Sequence, residues 1–167
     1  MIIGFTGTRE GMTPAQKEVV AYILSKFPSI SHVVHGDCIG ADTDFDTMIA
    51  GMGIRRDIYP CNIEAARSHC ENRGAIICLP KPLAPLERNQ IIVDKAQCLI
   101  ATPKEFEETV RSGPGQSQSP GKARLPGAFG AHAYGRGSGT WFTIRRGRIA
   151  NKTIYIVYAD GVLKVEN

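Results

Sequence analysis

The chain has five cysteines, Cys38, Cys61, Cys70, Cys78 and Cys98, but no C-x-x-C pair among them. An odd number of widely spaced cysteines argues against a disulfide framework, and the missing pair argues against a ribbon-type zinc site. The spacing of Cys61, His69, Cys70 and Cys78 matches no familiar zinc pattern either, so buried thiols are expected, with no metal and no cofactor. No apolar run approaches the ~20 residues of a membrane span, and the opening MIIGFTGTRE turns polar too soon for a signal peptide. A soluble, cytoplasmic protein without a membrane partner is the expectation. Walker A (GxxxxGK[ST]) is absent, as is a GxGxxG fingerprint followed by a ribose-binding acid, which disfavours an ATPase or an ordinary dehydrogenase. The acids of DTDFDT do not form a calcium loop, because Thr47 and Gly53 stand where its glycine and glutamate belong.

What is present suits one globular domain over residues 1–167, with 43% hydrophobic and 22% charged residues. Charge is unevenly placed: residues 1–110 carry 11 basic and 14 acidic side chains, and residues 111–167 carry 9 and 2. A positive C-terminal part favours phosphate-bearing partners, although a cluster such as Arg145, Arg146 and Arg148 also suits a solvated helix face.

MIIGFTG is a short apolar run ending in glycine. In TPAQKEVVAYILSKFP, Thr13 is placed as N-cap, Pro14 as first helical residue and Gln16 as capping-box partner, with Val19, Val20, Ile23, Leu24 and Phe27 at helical spacing. The pattern repeats: SHVVHG predicts a strand, DCIGA a loop, and DTDFDTMIAGMG a helix with Phe45, Met48, Ile49 and Met52 on one face. RRDIYP predicts a third strand and NIEAARSHCENR a helix. GAIICLPKPLAP reads as irregular, LERNQIIVDKA as helix and QCLIAT as strand. NKTIYIVYADGVLKV predicts a hairpin about Asp160-Gly161. Alternating strands and helices imply an α/β, Rossmann-like, doubly wound sheet, mainly parallel, with helices on both faces and a C-terminal hairpin. Residues 112–137, rich in glycine, proline, serine and glutamine, have no periodicity and read as a flexible insertion.

Three glycine-containing turns, GFTGTREG, HGDCIGAD and GRGSGT, follow strands and precede helices. Each can offer backbone N–H groups and a helix N-terminus to an anion, and the parallel topology would put all three on one rim.

Taken together, GFTGTREGMT, HGDCIGAD, LERNQIIVDKAQCLIATP and SGTWFTIRRGRIANK resemble the successive motifs of the SLOG superfamily. This group of Rossmann-like proteins includes the Lonely guy phosphoribohydrolases and DprA/Smf, and the resemblance covers nearly the whole chain apart from the insertion. It implies a small stand-alone SLOG protein that binds a nucleotide or nucleotide derivative such as AMP or ADP-ribose, and it admits a homo-oligomer. In the related phosphoribohydrolases a glutamate three residues beyond a GT pair promotes N-glycosidic cleavage. Here the pair is Gly139-Thr140, and Thr143 stands in place of the glutamate.

An uncharged hydroxyl neither steadies an oxocarbenium ion nor steers water well, which favours binding over hydrolysis. The expected ligand-binding residues are Thr6, Gly7, Thr8 and Arg9 of the first turn, Gly36, Asp37, Gly40, Ala41 and Asp42 of the second, Arg88 and Asn89, and Gly137, Ser138, Gly139 and Thr140 of the third. Arg88 matches the arginine that the family places before its fourth strand and can pair bidentately with phosphate. Asp42 can also serve as an N-cap, His35 as a core-edge histidine and Trp141 as a packing anchor. Asp37 shows no evident local duty and is the candidate base. Two alternatives stay open. One is a hydrolase like the nucleoside 5'-monophosphate phosphoribohydrolases, with Asp37 and Arg88 as catalytic residues. The other is single-stranded DNA binding of the DprA kind, which would make nucleic acid a partner but is not the favoured reading.

Overall fold

A computed structural model describes residues 1–79, 81–104 and 139–167. The expected insertion at 112–137 and the site residues Gly137 and Ser138 lie outside the described residues. Along the chain come β1 (Ile2–Gly7), α1 (Pro14–Ser25), β2 (His32–His35), α2 (Ala41–Gly51), β3 (Arg55–Ile58), β4 (Ile76–Ile77), α3 (Pro85–Lys95), β5 (Cys98–Thr102), α4 (Gly139–Ile149), β6 (Thr153–Val157) and β7 (Leu163–Glu166). The strands form one seven-stranded sheet in the order β4-β3-β2-β1-β5-β6-β7. All neighbouring pairs are parallel except β6–β7. The architecture is therefore the α/β, Rossmann-like sheet expected, with the two-residue β4 as an additional edge strand.

Successive residues of a strand face opposite sides, and the core divides accordingly. On one face Ile3, Phe5, Val33 and Ile100 pack against Val20, Ile23 and Leu24 of α1 and Phe45 and Ile49 of α2. Phe5 and Phe45 stack with ring centroids 4.1 Å apart. On the other face Val34, Leu99, Ala101, Ile154 and Ile156 pack against Ile92 and Val93 of α3 and Trp141 and Ile144 of α4. Each large buried side chain contributes about 1.5–3 kcal/mol, so both faces are needed to hold the sheet. The crossovers through α1 and α2 lie on one face and those through α3 and α4 on the other. The winding therefore reverses between β1 and β5, paired from Ile3↔Cys98 to Gly7↔Thr102. In open α/β sheets the crevice beyond the strand ends at such a reversal is the usual ligand site.

Local signals set several boundaries. Thr13 caps α1 and the reciprocal bonds with Gln16 are both present, with Pro14 opening the helix. Buried Gln16 also donates through Nε2 to the carbonyls of Pro103 (3.1 Å) and Val157 (2.9 Å), tying α1 to the ends of β5 and β6. Gly161, at φ 86°, turns the hairpin, and Asp160 Oδ1 accepts the Val162 N–H at 3.0 Å.

Two expectations are corrected. The segment NIEAARSHCENR is not one helix but two 3-10 turns, Glu64–Ala66 and Cys70–Arg73, broken where His69 adopts φ 53°. Tertiary bonds override its helical pattern: Asp37 accepts from the Arg67 guanidinium and the Cys70 N–H, and its own carbonyl takes the Ser68 N–H. Met52, expected on the core face of α2, follows the last residue of the helix and is 46% exposed. Among the described residues no helix is long and apolar enough to cross a membrane.

Candidate ligand-binding site

The first two glycine turns leave β1 and β2 on the same rim, and the N-termini of α3 and α4 return to it. The two turns are stacked on each other. Gly40 is the N-cap of α2 at φ 90° and ψ −124°, and a Cβ there would collide with the backbone of Arg9. Thr8 bonds the turns together: its N–H donates to Thr102 (3.3 Å) and its carbonyl accepts the N–H of Ala41 (2.9 Å). Thr6 and Gly7 end β1 beneath this contact, with Gly7 against Ala41 and Thr102.

The amides of the second turn, expected to cradle an anion, are mostly committed. Gly36 and Cys38 donate to Asp42 Oδ2 at 3.1 and 3.0 Å, and Asp37 donates to His35 Nδ1 at 3.3 Å. Ile39 donates to Ala66 and Ala41 to Thr8. Asp42, inside the first turn of α2 rather than at its N-cap, thus closes the loop that precedes its own helix. Burial pushes its carboxyl up, opposed by nearby His35 and Arg88 and by the two amide donors.

Asp37 does have a local duty. Fully buried at φ 57°, it accepts from Arg67 Nε (2.8 Å) through Oδ2 and from the Cys70 N–H (2.8 Å) through Oδ1. It ties the β2 turn to residues 67–70. His35 is likewise structural: Nε2 lies 3.3 Å from Asp46 Oδ1, while Asp46 Oδ2 takes Arg56 (3.0 Å) and Arg73 (3.3 Å). Although burial acts the other way, the His35 bond and the two guanidinium charges hold the Asp46 carboxyl below its ordinary range. His35, Asp46 and Cys70 can bring one ligand atom each within 4.8 Å of one another. With two guanidinium groups already on Asp46, this cluster is an ion-pair network rather than a setting for a cation.

Arg88 enters the rim from the first turn of α3. Its side chain is 6% exposed, Nη1 lies 3.9 Å from Asp42 Oδ2, and Nη2 lies 3.2 Å from Cys38 Sγ. The guanidinium rests directly on Gly36, where a Cβ would overlap Nη1. Among the described residues three buried side-chain polar atoms have no hydrogen-bond partner: Glu71 Oε2, Arg88 Nε and Thr102 Oγ1. Two of the three belong to this rim. A buried donor or hydroxyl left unpaired costs about 1–3 kcal/mol, so polar atoms in that condition at the strand ends call for an explanation.

Asn89, the next residue, donates through Nδ2 to the carbonyl of Gly139 at 3.3 Å and so joins α3 to the start of α4. Thr140 is buried there, and Thr143 Oγ1 donates to the same carbonyl at 3.0 Å. Trp141, 1% exposed, is a packing anchor. The structure thus gathers Gly36, Asp42 and Arg88, links Asn89 to Gly139, and presses Arg9 against Gly40.

The chain matches no family model, no curated protein and no solved structure.

Cys38 and Thr102 were not among the residues expected at the rim site, and Cys38 and Cys78 are partly exposed rather than the buried thiols expected. Thr102 had a signal, a polar residue closing the apolar run QCLIAT at a strand end. Cys38 had none beyond its place inside the second turn.

Proposed function

We propose that the protein binds a nucleotide or nucleotide-derived ligand, such as AMP or ADP-ribose, along the C-terminal rim of the sheet, with Arg88 receiving its phosphate. The observation that carries this reading is the buried guanidinium of Arg88, seated against Gly36 with Nε unpaired and its nearest carboxylate oxygen 3.9 Å away. Guanidinium is always charged and suits phosphate oxygens, and a partly unpaired one beside the sheet's reversal point is well placed for an anion. The resemblance of the glycine turns to those of SLOG proteins points the same way.

The committed amides of the second turn shift the expected phosphate contacts onto side chains. Arg88, Asn89 and Thr102 would supply donors, with the N-terminal end of α4 at Gly139–Thr140 adding its positive dipole. Arg9, exposed on the first turn, would meet the outer part of the ligand. N-glycosidic hydrolysis would need Asp37 to leave both Arg67 and Cys70, which favours binding over turnover.

Titration calorimetry with AMP, ADP-ribose and adenosine tests the proposal. Binding of the phosphorylated compounds at least tenfold tighter than adenosine is the expected result. Absence of binding by all three, or equal binding with and without phosphate, would overturn it.

A further inference from the structure

His35 ends β2 with both ring nitrogens engaged. The ring is fully buried and lies edge-on to Phe45, with centroids 6.3 Å apart. Nδ1 accepts the Asp37 N–H at 3.3 Å, and Nε2 lies 3.3 Å from Asp46 Oδ1. A backbone N–H only donates, so Nδ1 carries no proton; the single ring proton sits on Nε2, where the Asp46 carboxylate accepts it. The bond at Nδ1 lies inside the turn that seats Arg88. Gly36, where a Cβ would overlap the Arg88 guanidinium, stands between His35 and Asp37.

We infer that His35 is an acid-sensitive latch on this turn: a proton gained at Nδ1 breaks the bond from Asp37 and releases residues 36–38. The added proton would set Nδ1–H against the Asp37 N–H, donor against donor, and one of the two has to move. Nε2 keeps its proton and its Asp46 partner in both states, so the change falls wholly on the Nδ1 side. Gly36 and Cys38, on either side of Asp37, donate to the same oxygen of Asp42 at 3.1 and 3.0 Å. Movement of Asp37 between them disturbs both bonds and the surface on which Arg88 rests.

Charged and titratable groups face the ring from each element packed on it. Helix α2 presents Asp46 and Asp42, β3 presents Arg56, and the 3-10 turn Cys70–Arg73 presents Arg73 and the Cys70 sulfur. Arg56 and Arg73 both bind Asp46 Oδ2, at 3.0 and 3.3 Å, and balance that carboxylate. Burial keeps the Cys70 thiol neutral. Asp42 is thus the carboxylate left to attract a charge on His35, which gives a buried imidazole a reason to take up a proton. The other described histidines, His32 and His69, meet side chains only and are partly exposed, so neither ties down a backbone amide.

The latch stands without the ligand reading and is tested on the free protein. Amide hydrogen exchange followed by NMR, corrected for the intrinsic effect of pH, compares about pH 7.5 with about pH 5, the range in which histidines titrate. Protection of the Asp37 amide should fall at least tenfold at the lower pH while amides of β1 and β5 keep theirs, and the His35 ring signals should titrate over the same range. In His35→Asn, whose side-chain oxygen takes the same N–H and does not titrate, protection should be independent of pH. Unchanged protection at Asp37, a His35 ring that does not titrate, or equal loss of protection in β1 and β5 would overturn the inference in the unmutated protein whatever the variant does. The consequence for AMP rests on the ligand reading: affinity should fall more steeply with acid in the unmutated protein than in His35→Asn, a comparison that cancels titration of the phosphate itself. Local release of Asp37 with no such difference in AMP affinity would confirm the latch and count against the ligand reading alone.

Discussion

Gly36 and Arg88 share one volume: the guanidinium occupies the space where any side chain at position 36 would begin. The turn after β2 is therefore shaped by a residue on α3, and the glycine is required by close approach rather than by an unusual φ. Gly36→Ala should keep the fold, because the obstructed group is the free end of a long side chain, at a cost of about 1–3 kcal/mol. Displacing that guanidinium should weaken AMP at least tenfold. Calorimetry and urea unfolding of the same variant separate the two effects.

Asp37 is predicted to be a stability residue. Asp37→Ala strands the Cys70 N–H, leaves Arg67 with only its glutamate partners and removes the short polar side chain that eases the left-handed conformation at φ 57°, so it should destabilise by about 2–4 kcal/mol in urea unfolding. Asp37→Asn, which retains an acceptor and tolerates the left-handed conformation, should cost about half as much.

Regular elements were legible wherever the pattern is local. The Thr13-Pro14-Gln16 start of α1, the apolar runs of β1, β2, β5 and β6, and the turn at Asp160-Gly161 each carry their instruction within a few residues. Residues 62–73 did not, because their conformation is dictated from the turn after β2 by Asp37, some thirty residues earlier in the chain. The second glycine turn shows the same limit. Its sequence announces available amides, but only the folded chain reveals that Asp42, Ala66 and Thr8 take them up. The seating of Arg88 against Gly36 and Cys38 joins α3 to a turn some fifty residues earlier, which sequence spacing does not relate.

Glu166 gives a pH signature. Its carboxylate is held down to about 2 by hydrogen bonds from Arg148, at 2.7 and 2.9 Å, with Lys164 adding to them against partial burial. A folded-state value below the unfolded one stabilises fully above the ordinary carboxylate range, and the effect is lost as pH falls through about 2. Glu166→Gln should therefore be about 1–2 kcal/mol less stable at pH 7. The difference from the unmutated protein should shrink below about pH 4.5 and vanish near pH 2 in thermal or urea unfolding.

On the proposed reading, Thr102 would trade stability for a binding group. Its hydroxyl is buried without a partner at the end of β5, and valine has the same shape without the oxygen. Thr102→Val should stabilise by about 0.5–1 kcal/mol, seen as a melting temperature higher by about 1–3 °C. The same change should weaken AMP several-fold. A variant that melts lower than the parent would show that the hydroxyl is satisfied.

If Arg88 holds the ligand's phosphate, its loss should abolish the preference for AMP over adenosine. The ratio of the dissociation constants of adenosine and AMP, measured by calorimetry for the unmutated protein and for Arg88→Gln, reads that preference. The ratio should be ten or more in the unmutated protein and fall to about one in the variant, because the phosphate would lose its charged partner while the rest of the ligand keeps its contacts. An unchanged ratio in the variant would contradict the claim.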